Sequence, residues 1–130
     1  MKTRYKVLLA SGAIVAIVAI GFSIAVGWIN RNLESLTAME LVEPKVASLP
    51  DGTYRGTYSV FPVSVVVDVE VVGSRIGVVR IVEHRHGRGE AAETLVDRVV
   101  ETQSIGLSAV SGATYSSKVL LLAIQDALTF

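Results

Sequence analysis

A long uncharged stretch near the N-terminus constrains the fold of this chain more than any other feature. No charged residue occurs from Val7 to Asn30. A helix of about 20 apolar residues, rising 1.5 Å per residue, crosses the ~30 Å hydrocarbon core of a bilayer. A cleaved signal peptide is the alternative, but its apolar region is normally only about 7–15 residues long. We therefore predict that residues 1–29 form a short N-terminal tip and a retained transmembrane helix, with Trp28 at the membrane interface.

The charges on either side of this stretch predict its orientation. Three basic residues precede it, namely Lys2, Arg4 and Lys6, whereas acidic residues predominate after Arg31. Basic residues favour the cytoplasmic side of a membrane. We expect a single-pass protein of the cell membrane, in contact with lipid, whose N-terminus is cytoplasmic and whose C-terminal domain is extracytoplasmic.

Composition excludes several kinds of function. The chain has no cysteine, which excludes cysteine-ligated iron–sulfur clusters, C-x-x-C-H haem attachment and disulfides. A redox role would therefore need an organic cofactor. The 12 basic and 12 acidic residues balance, and no basic stripe occurs, so nucleic acid is not an expected partner.

After the anchor, the sequence predicts a linker and one small domain. Residues 30–50 form a polar, mildly acidic linker that contains Pro44 and Pro50 and a short helical pattern at 32–36. From residue 51 the pattern changes to period two, with five alternate valines from Val63 to Val71 on one face. The turn at Gly73-Ser74 then separates this strand from a returning partner.

The final third of the sequence has helical periodicity. Ala92, Leu95, Val96 and Val99 recur at the spacing of an amphipathic helix, and the last segment is apolar on several sides. We predict an α+β domain at residues 51–130, with an antiparallel sheet and two packed helices. The strands are expected at 53–60, 63–72 and 75–83, and the helices at 92–103 and 115–128.

The motif at residues 111–117, Ser-Gly-Ala-Thr-Tyr-Ser-Ser, directly precedes the last predicted helix. A helix N-terminus presents unpaired N–H groups and a partial positive charge, so it can bind a phosphate. Serine, threonine and glycine are also common before helices as caps without any ligand. The motif alone leaves both interpretations open.

Several segments together carry a resemblance to a known family. They are Gly-Thr-Tyr-Arg-Gly-Thr at 52–57, Glu-His-Arg-His-Gly-Arg-Gly at 83–89, Gln103, the motif at 111–117, and Ala-Ile-Gln-Asp-Ala-Leu at 123–128. Over residues 50–130 the chain resembles the FMN-binding domain family. That family includes the flavin-carrying C subunit of the sodium-translocating NADH:quinone reductase and the G subunit of the Rnf complex.

The resemblance implies FMN as the cofactor, joined by a phosphoester to Thr114. It also implies a flavin transferase and membrane or surface redox partners, with the protein acting as an electron relay more than as an enzyme with its own substrate. The family motif usually begins with an Asp that the transferase reads, three residues before the Ser, where this chain has Ser108. The alternative is a non-redox binding or accessory module of the same fold, with non-covalent FMN or none.

Two segments supply the predicted cofactor-binding residues. The hydroxyl groups and N–H groups at the helix start are expected to reach the phosphate, and an arginine of the 83–89 loop could face the phosphate or a reduced flavin. A metal site at His84 and His86 is a weaker alternative, because the nearby ligand set is incomplete. No catalytic residue is predicted. The cofactor-binding set is Ser111, Gly112, Ala113, Thr114, Tyr115, Ser116 and Ser117, with His84, Arg85 and Arg88.

Overall fold

The computed structural model describes residues 2–85 and 89–129. Two compact units, Met1–Asn32 and Leu33–Phe130, divide the chain. The first unit is helical throughout its described residues and belongs to helix α1, which runs over Lys2–Thr37. Within the described part, α1 is the one helix long and apolar enough to cross a membrane, a property that an N-terminal signal sequence shares. Most of its large apolar side chains, from Tyr5 to Trp28, are exposed and do not form a protein core.

The second unit is built on a three-stranded antiparallel sheet. Its strands are β1 (Gly52–Val60), β2 (Val63–Val72) and β3 (Arg75–Arg85), in the order β1-β2-β3. Together with two helices the sheet makes an α+β arrangement, which confirms the predicted fold class. The strand bounds lie within two residues of those expected, because alternating valines and the Gly73-Ser74 turn are strong local signals.

One face of the sheet forms the core of the unit. The five alternate valines of β2 are all buried, whereas the residues between them are only partly so. The core also contains residues of both later helices and of the loop between them, because the apolar face of a sheet must pack against another element to be shielded from water. Its largest fully buried side chains outside the sheet are Leu36, Leu95, Ile105, Leu120, Leu121 and Ile124.

Two helices cover this face. Helix α2 spans Leu95–Thr102 and follows a 3-10 turn at Glu90–Thr94, so the expected helix at 92–103 is in part 3-10. Helix α3 spans Thr114–Leu128 and packs against β1 and β2. Its backbone passes very close to Gly56, where an added Cβ would lie only 2.0 Å from the Ala123 carbonyl oxygen. A residue without a side chain is therefore required where α3 crosses β1.

Side chains from the helical layer hydrogen-bond one residue on each edge strand of the sheet. On β1, the Thr57 N–H donates to the Asp126 carboxylate of α3 at 2.9 Å. On β3, the Gln103 amide bonds both backbone groups of Ile76, at 2.8 Å each. Unpaired backbone groups on an edge strand can bond to a strand of another chain. These two side chains occupy such groups and so disfavour that pairing.

The outer face of the sheet carries charged residues beside valines such as Val72. The Arg55 guanidinium there makes two bonds to the Asp68 carboxylate, from Nε at 2.7 Å and Nη2 at 2.8 Å. These hydrogen bonds hold the pKa of Asp68 below its usual range. The pair is exposed, and exposed ion pairs stabilise proteins little.

The segment predicted as a linker contributes to the second unit. Leu36 in the last turn of α1 is fully buried in the core. The Val42 N–H donates to the Gln125 side chain of α3 at 2.8 Å. The predicted boundary between linker and domain is residue 51, whereas the compact unit begins at Leu33. The physical reason for this difference is that buried and hydrogen-bonded side chains lie well before residue 51.

Glu43 fastens the same segment to the loop between α2 and α3. Its carboxylate accepts hydrogen bonds from the Ser104 hydroxyl, from the Gly106 N–H at 2.9 Å and from the Ile105 N–H at 3.3 Å. Slight burial raises the pKa of Glu43, but the bonds from Ser104, Gly106 and Ile105 outweigh it and leave the pKa lowered. Glu43 is therefore held as a carboxylate that orders this loop.

Candidate functional site

The turn before α3 is fixed from within by Ser117. The fully buried Ser117 hydroxyl donates to the Ala113 carbonyl at 2.7 Å and accepts from the Val110 N–H at 3.0 Å. The Ala113 N–H donates to the Val110 carbonyl at 2.9 Å. Gly112 between them has φ of +80°, a left-handed conformation that glycine adopts readily. The Ser-Gly-Ala-Thr segment is therefore held in one shape by its own contacts.

The N-terminus of α3 has no side-chain cap among the described residues. Thr114 is its first residue, and Ala113 before it makes no capping hydrogen bond. The first N–H groups of a helix have no acceptor inside that helix, so those of Thr114, Tyr115 and Ser116 point out of the helix end. Ala113 provides no side-chain cap, so these N–H groups remain open to water or to a ligand.

A small cavity lies beside the start of α3. It has a volume of about 200 Å³ and is bounded mainly by the turn and the start of α3. Ser116 is only 4% exposed, borders this cavity and makes no hydrogen bond to a residue that the structure describes. A hydroxyl at the edge of a cavity can donate to a ligand that binds there. The other lining residues are Leu33, Pro62, Val63, Gly89, Gly112, Ala113, Thr114 and Tyr115.

Thr114 also borders a second cavity, of about 210 Å³. The Thr114 side chain is exposed, and within residues 2–85 and 89–129 its hydroxyl has no hydrogen-bond partner. Lys118, four residues later on the same helix, lines this second cavity. Lys118 is not among the residues predicted from the sequence, although its i, i+4 spacing from Thr114 is a usable signal. Thr114 therefore borders two cavities, and the positively charged side chain of Lys118 also lines the second one.

The remaining predicted site residues lie elsewhere. Ser111 is exposed and borders neither cavity, and Ser117 is engaged inside the turn. The His84 side chain is 2% exposed, with Nδ1 3.0 Å from a Glu93 carboxylate oxygen. Arg85 pairs with Ser64 on the outer face, and its Nε lies 2.6 Å from a Glu83 oxygen. The strand register thus directs Arg85 to the face of the sheet opposite to α3.

Two further positions concern the loop after β3. Arg88 and His86 lie outside the described residues, so Arg88 stays a sequence-based prediction. Among the residues that the structure does describe, no group of three or more histidine or carboxylate side chains is arranged to hold a metal ion.

The residues at the start of α3 and along its two cavities include several hydrogen-bond donors. Backbone N–H groups, the Ser116 hydroxyl and the Lys118 ammonium are donors, which suit an anion. No heavy atom lies within 4 Å of the position that a Cβ on Gly112 would take. A ligand could therefore come close to the Gly112 backbone, whereas any other residue at this position would place its side chain in that space.

Comparison with known proteins gives one match. A family model described as FMN-binding domain matches residues 59–129, more than half of the chain. The matched range includes most of the sheet, α2, α3 and the Ser-Gly-Ala-Thr turn. No curated protein and no solved structure matches the chain.

Proposed function

The chain belongs to the FMN-binding domain family, and on that basis we propose that it is a membrane-anchored flavoprotein that relays electrons through an FMN joined to Thr114. One observation carries the assignment to Thr114. Its hydroxyl has no partner within the described residues, and it stands at an uncapped helix N-terminus between two cavities.

The residues around Thr114 suit the separate parts of FMN. The N–H groups of Tyr115 and Ser116 and the Ser116 hydroxyl can donate to phosphate oxygens. The first cavity has a mostly apolar lining that includes Pro62 and Val63, and an apolar lining suits a ring system. Bound FMN supplies the capacity to accept and release electrons, and the protein sets its position and exposure. Tyr115, 38% exposed at the cavity, is placed to limit access of water to the ring.

Attachment to Thr114 is chemically a phosphoryl transfer. With FAD as donor and a flavin transferase as catalyst, the Thr114 Oγ forms a bond to the phosphorus atom of the FMN half. The bond from that phosphorus to the bridging oxygen of the diphosphate breaks, AMP leaves with this oxygen, and the hydroxyl proton is released. The exposure of Thr114 supports this proposal, because a second enzyme must reach its hydroxyl.

We place the FMN-binding domain outside the cytoplasm, with α1 as the membrane anchor and redox partners in the membrane or at its surface. The support is the length and apolar character of α1 and the basic residues before it. An active cytoplasm-only reporter fused to the C-terminus would overturn this topology.

The first experiment is intact mass, with ultraviolet in-gel fluorescence, on denatured protein co-expressed with a flavin transferase. We expect an added mass of about 440 Da, that of FMN less water, in the parent and not in Thr114→Ala. Thr114→Ser is the matched control, because it retains a hydroxyl at the helix start, and it should be modified. An adduct that persists in Thr114→Ala would refute the attachment site.

The same experiment separates the second candidate, the accessory module with non-covalent FMN or none. The observation in its favour is Ser108, where the family motif has the Asp that the transferase reads. Yellow native protein without an adduct would favour non-covalent FMN. An adduct gained in Ser108→Asp would then show that Ser108 limits attachment. Colourless parent protein without an adduct would refute the relay.

A further inference from the structure

Lys118 lies one helical turn after Thr114 on the same side of α3. Residues four apart in a helix are surface neighbours, and both Thr114 and Lys118 line the cavity of about 210 Å³. A group bonded to the Thr114 hydroxyl is thus within the range of a lysine side chain that extends along the helix.

No residue that the structure describes forms an ion pair with Lys118. Lys118 is half-buried, and among the residues described it makes no hydrogen bond or ion pair. The other residues that line its cavity are uncharged, namely Thr37, Leu41, Leu107, Ala109 and Leu121. The Thr37 hydroxyl is already engaged with the Glu34 carbonyl at 2.8 Å. Partly buried charges are normally paired, so this cavity favours an anion.

We propose that Lys118 binds the phosphate of FMN at Thr114 and is the residue by which the domain prefers FMN to riboflavin. This inference rests on the proposed function and adds a residue to it. A phosphate on Thr114 keeps a negative charge, and lysine is a common point-charge partner of phosphates. The N–H groups at the start of α3 and the Lys118 ammonium would contact the phosphate from two directions, whereas riboflavin offers no charge to either.

The test compares two ligands on flavin-free full-length protein in detergent, expressed without a flavin transferase. The dissociation constants of FMN and riboflavin are measured by quenching of flavin fluorescence. We expect Lys118→Gln to weaken FMN binding about ten-fold, the effect of losing one charge-assisted hydrogen bond, and to leave riboflavin binding unchanged. Lys118→Arg should keep most of the preference. The matched control, Lys45→Gln, removes a charge at an exposed lysine that lines neither cavity beside Thr114.

A Lys118→Gln protein with the parent's preference for FMN overturns the inference and leaves the proposed function intact. If the parent binds neither ligand without covalent attachment, the readout is the rise in melting temperature between flavin-free and adduct-bearing protein. A rise smaller in Lys118→Gln than in the parent supports the inference, and an equal rise overturns it. If the parent neither binds FMN nor forms an adduct, the proposed function fails, and the inference fails with it.

Discussion

Gly56→Ala should push α3 away from β1 and lower both the stability of the domain and its flavin content. The added Cβ would lie 2.0 Å from the Ala123 carbonyl oxygen and 2.5 Å from the Ala127 nitrogen. Ordinary contact needs about 3.5 Å, so strand and helix must part by about 1.5 Å. Overpacking usually costs about 1–3 kcal/mol. We expect the upper end, about 3 kcal/mol, because the crowded atoms include helix backbone that no side-chain rotamer can move away.

The assay is thermal unfolding of the full-length protein, followed by circular dichroism, with flavin content measured on the same samples. For a domain of this size about 3 kcal/mol lowers the melting temperature by about 12–24 °C. Flavin content should fall as well, because α3 carries Thr114. Gly77→Ala is the matched control, since its Cβ would lie an ordinary 3.6 Å from the nearest atom, the Glu70 carbonyl oxygen. Equal melting temperatures for the two variants would refute the reasoning about close approach.

Two further predictions concern contacts that hold the loops to the domain. Gln103→Leu removes the amide bonds to Ile76 and Val100 and should lower the free energy of unfolding in urea by about 1–3 kcal/mol; an effect no larger than that of Glu101→Gln would contradict this role. The lowered pKa of Glu43 means that the folded chain binds fewer protons than the unfolded chain near the ordinary carboxyl pKa. The stabilisation by Glu43 is therefore complete above that pKa and is lost as the pH falls through the lowered value. Melting temperatures of the parent and Glu43→Gln, measured from neutral pH to about pH 3, should converge in acid, and a constant gap would show that the charge is not responsible.

Local patterns were enough to predict the sheet. The alternate valines of β2 and the Gly73-Ser74 turn specify a hairpin without help from the rest of the chain. Helix α3 begins at Thr114, one residue before its expected start, because the motif that suggested a phosphate site also marks a helix start. Belonging to the FMN-binding domain family was likewise predictable from the motif at 111–117 and the segments that accompany it.

Contacts between distant segments were not predictable in this way. The role of Glu43 depends on N–H groups more than 60 positions away, and the requirement for Gly56 depends on where α3 crosses β1. Neither leaves a periodic signal. Arg85 illustrates the opposite case, in which a residue of suitable chemistry was proposed for the site although the strand register directs it to the other face. A pattern of residue types does not reveal the face on which an irregular strand end presents its side chain.

The segment of residues 33–41 limits where this protein can be divided. Leu33 forms part of the wall of the first cavity, and Thr37 and Leu41 form part of the wall of the second. A shortened chain that starts at residue 51 would keep every strand and both later helices, yet it would lack these walls and the buried Leu36. The smallest piece that keeps these walls therefore begins at about residue 33, where the second compact unit begins.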